Sequence, residues 1–406
     1  MTRLWPDLMG RLASVVAALF LSGPAQALEP EDISGAFAAH GIAAVEAELA
    51  ALPEPTPTQA AALGTARFLR AIEITLQTRW RHGLNAAQTE LPVLRLPVAN
   101  NPAPEPAGPD LVATIFSDLL DDLAGARAPL AEIEDGDAVR LPITFTDLWF
   151  DIDTNGVRER GEDLVTVAAL TLTGQPMLMS DAPTATFDTA DAAWLLAYTH
   201  FLAAFAELVL SIDPTTQIDR FATARDEMDA LAADTNYRNA IDMQFGQQVD
   251  RAAIILSAIQ GQPDPVHTRA AKSHLLEMIA ANRTLWARVT AETDNEGEWI
   301  PNATQTQVLG LEVPPETGPR WLAVLDDAEA LLTGAALVPH WRLREGAGIN
   351  LARFLDDPAP IDPVGWMHGA ALLPYSEEGR RVSPENWIFF QRMVQGDALL
   401  FVVFLN

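Results

Sequence analysis

The chain has 406 residues, of which 49% are apolar and none is cysteine. It carries 55 acidic and 26 basic side chains, which gives a formal net charge of −29. Because an excess of carboxylates repels phosphate, this charge argues against nucleic acid or an anionic membrane surface as a partner. The absence of cysteine excludes disulfides and thiol nucleophiles.

The first 27 residues have the pattern of a secretory signal peptide. Arg3 and Arg11 supply its basic region, the ten residues Leu12–Leu21 form an apolar run, and Ala25-Gln26-Ala27 provides a small-residue cleavage pattern. The run is too short to span a membrane, which takes about 20 residues. We therefore expect a periplasmic or secreted protein that starts at residue 28 and has no membrane span. The alternative is a retained N-terminal helix.

Hydrophobic periodicity predicts a mainly α fold, in which a helical bundle at 28–262 precedes a small α+β domain at 263–406. The boundary is placed at residues 261–265, where Gly and Pro cluster. Asp188 and Asp191 mark a helix start through a capping box. The predicted helices are 31–52, 58–82, 109–125, 188–212, 216–233, 239–260, 266–292 and 319–332.

The second predicted domain is rich in tryptophan. Five of its tryptophans follow residue 293, namely Trp299, Trp321, Trp341, Trp366 and Trp387. Short apolar runs between Pro and Gly residues predict strands at 305–311, 336–343 and 397–405. The last of these runs is continuous and apolar over eight residues, which is more typical of a buried strand than of a membrane anchor.

One acidic run, residues 151–162, has a spacing that indicates calcium chemistry. Calcium is a hard cation that takes six to eight oxygen ligands, and a twelve-residue loop supplies them at positions 1, 3, 5, 7, 9 and 12 around a glycine at position 6. Gly156 occupies that sixth position. The oxygen ligands would come from Asp151, Asp153, Asn155, the carbonyl of Val157, Glu159 and Glu162.

Over these twelve residues the chain resembles EF-hand-like calcium loops. The resemblance implies a Ca²⁺ site followed by a helix at 164–172. The Val, Thr and Leu residues of this stretch favour a strand instead, and we retain the helix as the expectation. Position 8 is Arg158 instead of an apolar residue, and a second such loop is absent from the sequence, which argues against a paired calcium sensor. The lone site is then structural. The alternative is a solvated acidic turn that binds no metal.

A second interpretation uses the same residues for catalysis. Asp151 and Asp153 could be the nucleophile and the acid of an Asp-x-Asp phosphatase of the haloacid-dehalogenase type. Such enzymes are doubly wound α/β proteins, and the βαβ alternation that this fold requires does not follow residue 153. The phosphatase is therefore kept as an alternative.

The histidines suggest further sites. His200 and Glu207 lie on the apolar helix 188–212, where we expect hydrogen-bonded core groups. His267, His274 and Glu277 share a face of the helix 266–292, which is either a zinc site or a solvated surface. In the second domain, His340, Trp341, Arg342, Trp366, His368 and Tyr375 either line a pocket or form an aromatic core beside two surface histidines.

These patterns predict an exported protein with a structural Ca²⁺ and a binding or scaffolding role in the cell envelope, whose partner the sequence does not identify. A Gly-x-Ser-x-Gly elbow and a phosphate-binding Gly-rich loop with lysine are both absent. The alternative function is a hydrolase of another kind, with His340 and His368 as candidate catalytic residues.

Overall fold

The computed structural model describes residues 28–85, 93–167, 183–231, 240–310, 313–386 and 388. The fold is mainly α, as the sequence predicts. Its helices are α1 Ile33–Ala50, α2 Pro57–Arg81, α3 Leu111–Leu130, α4 Thr189–Ile212, α5 Thr215–Leu231, α6 Ala240–Ile259, α7 Pro265–Ala291, α8 Thr317–Leu332, α9 Leu351–Asp356 and α10 Pro363–His368. Its strands are β1 Leu141–Thr144, β2 Thr184–Phe187, β3 Ala347–Ile349 and β4 Ser376–Glu378. The predicted signal peptide, 1–27, lies outside the described residues.

Helix α4 organises the packing. It starts as predicted, because the Asp188 carboxylate accepts from the backbone N–H groups of Ala190 and Asp191 while the Asp191 carboxylate accepts from Asp188 N. Its C-terminal half packs into an apolar core with α1, α2 and α3, and its N-terminal half packs against α7 and α8. Among the described residues, α4 is the helix long and apolar enough to cross a membrane, and half of its most apolar stretch is buried.

The helices on the two sides of the predicted domain boundary are in close contact. Helix α7 begins at Pro265, just after that boundary, and lies along α4 in the most extensive helix–helix interface of the described fold. Small buried residues on both helices, including Ala197 and Ala271, allow this close approach. The division at residue 262 remains a prediction, and the two sides share a core.

Two antiparallel strand pairs complete the described structure. Strand β1 pairs with β2, so that Leu141 lies opposite Phe187, and β3 pairs with β4. The sequence did not predict these partners. The predicted strand 305–311 is wrong over its described residues, which hold only an isolated bridge between Gln307 and Glu298.

The predicted strand 336–343 is also wrong. Only Leu337 and Val338 make bridges, because Pro339 has no N–H to continue a ladder. The predicted strand 397–405 lies outside the described residues.

Candidate metal-binding loop

The two ends of the acidic loop 151–162 lie side by side on the core. Trp149 bridges Asp163 in antiparallel fashion, and the Phe150 N–H donates to the Glu162 carbonyl at 2.9 Å. A short 3₁₀ turn, Phe145–Asp147, precedes the loop, and residues 164–167 are helical after it. The rest of the predicted helix 164–172 lies outside the described residues. The loop therefore differs from an EF-hand on its N-terminal side, where a 3₁₀ turn stands in place of the first helix.

Three of the predicted ligands converge. Carboxylate oxygens of Asp151, Asp153 and Glu162 all lie within 4.8 Å of one another. Glu162 is buried, whereas Asp151 and Asp153 are half-buried. This spacing suits a single cation, since Ca²⁺ holds its oxygen ligands at about 2.3–2.6 Å.

Backbone N–H groups of the loop hold these side chains in place. Asp151 accepts from Gly156 N at 3.1–3.2 Å, and Asp153 accepts from Asn155 N at 3.1 Å. The two Glu162 oxygens accept from Ile152 N at 2.9 Å and from Glu159 N at 2.7 Å. Gly156 has φ +73°, a left-handed conformation that glycine adopts without strain. The ligand carboxylates are therefore oriented before any metal binds.

The remaining predicted ligands lie around this group. The Asn155 amide nitrogen donates to Asp153 at 2.9 Å and to Glu159 at 3.1 Å, so these three side chains are in contact. Asn155 would ligate only after its amide turns its oxygen toward the metal. Val157 would contribute its carbonyl alone, and its side chain is exposed. Arg158, at the eighth position, pairs with Asp163 outside the ligand set.

Helix α2 anchors the loop at its first ligand. Glu73 accepts from the Asp151 N–H at 2.7 Å, and the Gln77 side chain donates to the Asp151 carbonyl at 2.7 Å. Glu73 is only 1% exposed and also accepts from Arg70 at 2.5 Å. Burial raises the pKa of Glu73, and its two hydrogen-bond donors oppose that rise. The sequence analysis missed both anchors, because nothing in the spacing of α2 distinguishes them from other polar residues.

A small cavity of about 180 Å³ opens beside the anchored end of the loop. Its lining residues include His40, Arg70, Glu73, Trp149 and Asp151. Solvent therefore reaches the first ligand residue from the side of α1 and α2, which gives a cation a path of entry.

A second acidic group, which the sequence analysis missed, lies at the start of α4. Asp188, Glu292 and Glu298 have carboxylate oxygens within 4.8 Å of one another. Burial, followed by the neighbouring charge of Asp188, raises the pKa of Glu292 to about 8. One Glu292 oxygen is buried without a hydrogen-bond partner, while the other accepts from Gln305 at 3.2 Å. Glu292 thus holds a proton at neutral pH, and Asp188 remains free to cap α4.

This proton makes stability depend on pH. The folded pKa of Glu292, about 8, exceeds its ordinary value of 4.5, so the folded state binds more protons between these pH values and stability falls as pH rises through them. Glu292→Gln mimics the protonated form. We expect it to raise the free energy of unfolding at pH 8.5 by roughly 1–3 kcal/mol and to change it little at pH 4. Thermal melting across this pH range measures the difference.

The exposed Glu132→Gln variant is the control for the Glu292 measurement, because it removes the same charge from the surface. Equal stability of Glu292→Gln and wild type at pH 8.5 would contradict a raised pKa of Glu292 in the folded state.

The histidines of α4 and α7 have the hydrogen-bond partners expected of core groups. His200 meets His274 with 3.0 Å between their Nδ1 atoms, and Glu207 accepts from His267 Nδ1 at 2.5 Å. Glu277 is exposed and stands apart from both contacts. The predicted trio of His267, His274 and Glu277 therefore does not converge as one group, and His274 instead faces His200.

The aromatic residues of the second predicted domain are divided between core and surface. Tyr375 and Trp366 pack edge-on against Phe354, and the Tyr375 hydroxyl donates to the Asp357 carbonyl at 2.8 Å. Trp341 is 71% exposed, with Arg342 stacked on its ring. His340 contacts the Trp366 carbonyl at 3.2 Å and His368 ends α10, and the pocket of six residues stays a prediction. Trp387 lies outside the described residues.

Comparison with known proteins adds no assignment. No family model matches the chain, and neither the curated proteins nor the solved structures contain a match. The fold and the acidic loop are therefore interpreted on their geometry alone.

Proposed function

We propose that this chain is an exported calcium-binding protein whose single Ca²⁺ stabilises the loop 151–162 against helix α2. The observation that supports this most directly is the backbone hydrogen bonding that holds Asp151, Asp153 and Glu162 around one centre. All three side chains offer carboxylate oxygens as metal ligands, and such oxygens suit a hard cation. The mature protein acts as a binding or scaffolding protein of the cell envelope, in the periplasm or outside the cell.

A structural role for the metal agrees with where the loop is attached. Asp151 is tied through its backbone to two side chains of α2, and α2 belongs to the main apolar core. Ordering of the loop is thereby transmitted to the core. Extracellular calcium modules bind at about 10⁻⁴–10⁻³ M, so an external calcium pool would keep such a site filled.

The phosphatase alternative has less support. An Asp-x-Asp nucleophile of that class sits at the end of a strand in a parallel α/β sheet, whereas both strand pairs of the described residues are antiparallel. Asp151 also lies in a loop, with its carboxylate held by Gly156 N. In the alternative hydrolase, His340, which contacts the Trp366 carbonyl, and His368 at the end of α10 would carry the reaction.

Thermal melting of residues 28–406 tests the proposal. In 10 mM Ca²⁺, a site with a dissociation constant of about 1 mM adds roughly 1.4 kcal/mol to the free energy of unfolding, relative to EDTA. We expect a higher Tm with calcium and a smaller rise with equal Mg²⁺, which demands octahedral geometry and dehydrates reluctantly.

The double variant Asp151→Ala, Glu162→Gln should remain folded and have a Tm that does not respond to calcium. The variant Glu105→Gln, Asp118→Ala removes the same charge from exposed positions and should respond as wild type. An unchanged calcium response in the loop variant would place the metal elsewhere. No response in wild type would mean that residues 151–162 are an acidic turn that binds no calcium. Export is tested separately by sequencing the N-terminus of protein recovered from the periplasm, where residue 28 is expected.

A further inference from the structure

The α4–α7 interface carries a second polar feature, separate from the calcium loop. His200 and Glu207 are seven residues apart on α4, and His267 and His274 are seven apart on α7. His200 contacts His274, and Glu207 contacts His267, so the helices run antiparallel. The two contacts follow each other along the interface. The contact between the two histidines is the chemically unusual one, because both side chains can bind a metal ion.

The two imidazoles face each other through the same type of nitrogen. Their Nδ1 atoms are 3.0 Å apart, and the rings are tilted by 46° with centroids 5.2 Å apart. A hydrogen bond across this gap needs one proton, which one Nδ1 donates to the lone pair of the other. In a tetrahedral zinc site with Zn–N distances of about 2.0–2.1 Å, two ligand nitrogens lie about 3.3 Å apart. A metal ion could therefore replace the shared proton after only a small separation of the rings.

The protonation state and surroundings of the pair are compatible with a cation. Burial lowers the pKa of His200 to about 3 and also lowers the pKa of His274, so both rings are neutral at neutral pH, as metal ligation requires. Three charged side chains act on the pair. Arg127 of α3 acts on both rings and disfavours a cation, whereas Glu207 and Glu277 act on His274 and favour it.

We propose that His200 and His274 form a binding site for a divalent transition-metal ion of the Zn²⁺ class, bridging α4 and α7. Glu277, one turn beyond His274 on α7, is exposed and outside the pair, so solvent completes the coordination. Imidazole ligands favour Zn²⁺, Ni²⁺ and Cu²⁺ over Ca²⁺, so this site and the calcium loop select different ions.

Calorimetric titration with Zn²⁺ in the presence of 10 mM Ca²⁺ tests the site while calcium competes for the loop. His200→Gln and His274→Gln should each weaken zinc binding at least tenfold. His267→Gln is the matched control, since His267 is half-buried on the same helix but is paired with Glu207, and it should leave the affinity unchanged. Equal affinity in all variants, or an equal loss in His267→Gln, would overturn the assignment.

A measurement on the wild-type protein guards against variants that fail to fold. With one equivalent of Cu²⁺ in the same calcium buffer, the electron paramagnetic resonance spectrum should show coupling to two imidazole nitrogens. A spectrum with oxygen donors only would overturn the proposal whatever the variants do. Failure here leaves the calcium proposal untouched, because the two readouts depend on different residues and different ions.

Discussion

Replacement of Arg79 by alanine is expected to lower the free energy of unfolding by about 3–5 kcal/mol, the largest loss that we predict for a single side chain. Arg79 is 0% exposed and lies on the face of α2 that packs against residues following the helix. Its guanidinium donates to the carbonyls of Leu84, Val93 and Leu96 at 2.7–3.3 Å. Alanine would remove these three hydrogen bonds and create a cavity in the core.

The charge of Arg79 persists despite its burial. Desolvation lowers the pKa of Arg79 to about 10. This pKa is still far above neutral pH, so the side chain stays protonated. Its Nη2 atom is buried without a hydrogen-bond partner, so part of the cost of desolvation is not recovered. Arg79 therefore contributes by holding Leu84, Val93 and Leu96 against α2, and less by electrostatic attraction.

Urea unfolding monitored by circular dichroism measures the Arg79 effect. Arg67→Ala is the matched control, because Arg67 is half-buried on the same helix and makes one backbone contact, to the Gly125 carbonyl, and a 3.6 Å ion pair with Glu46. We expect this control to cost about 1 kcal/mol. A loss of the same size for Arg79→Ala would show that the buried guanidinium does not hold the segment in place.

Replacement of Glu73 by alanine is the second large effect, and it couples stability to metal binding. We expect a loss of about 2–4 kcal/mol in EDTA, because the half-buried Arg70 and the Asp151 N–H both lose their acceptor. Calcium affinity should fall about tenfold, since Asp151 is no longer held in its place for the ion. The expected affinity loss corresponds to about 1.4 kcal/mol.

Calorimetry with Ca²⁺, beside melting in EDTA, separates the two effects of Glu73→Ala. Glu73→Gln keeps an oxygen acceptor for Asp151 N, so its calcium affinity should lie nearer to wild type. Thr75→Val controls for destabilisation alone, because the buried Thr75 hydroxyl donates only to Ala71 of its own helix. If Glu73→Ala melts earlier but binds calcium as tightly as wild type, then α2 does not position the loop.

The sequence was informative wherever one local pattern governs one element. The stripe of apolar residues and the capping box of Asp188 and Asp191 were enough to predict α4, and the observed helix starts and ends within one residue of the prediction. The strands were not predictable in the same way. β1 and β2 are separated by forty residues, and such short strands are stable only when paired, so their positions depend on a distant partner.

The candidate site shows the same division. The spacing of Asp151, Asp153 and Glu162 was enough to propose a loop that folds around one centre, because a twelve-residue turn with glycine at its sixth position brings those positions together. The anchors Glu73 and Gln77 and the facing pair of His200 and His274 could not be predicted. Each lies on a helix far along the chain from its partner, and one-dimensional periodicity does not say which faces of two helices meet.

By itself, the sequence determined the mainly α class, the limits of most long helices and the set of oxygen-bearing residues in the loop, because each depends on interactions between residues close in the chain. The end of α3 was not among them, since this helix runs to Leu130 and the prediction ended at 125. The tertiary structure alone decided that α4 is shared between two halves of the core, that a buried glutamate on α2 holds Asp151 of the acidic loop, and that two histidines face each other across α4 and α7. These features come from packing between distant segments, where burial and pairing of polar groups select one arrangement of the helices.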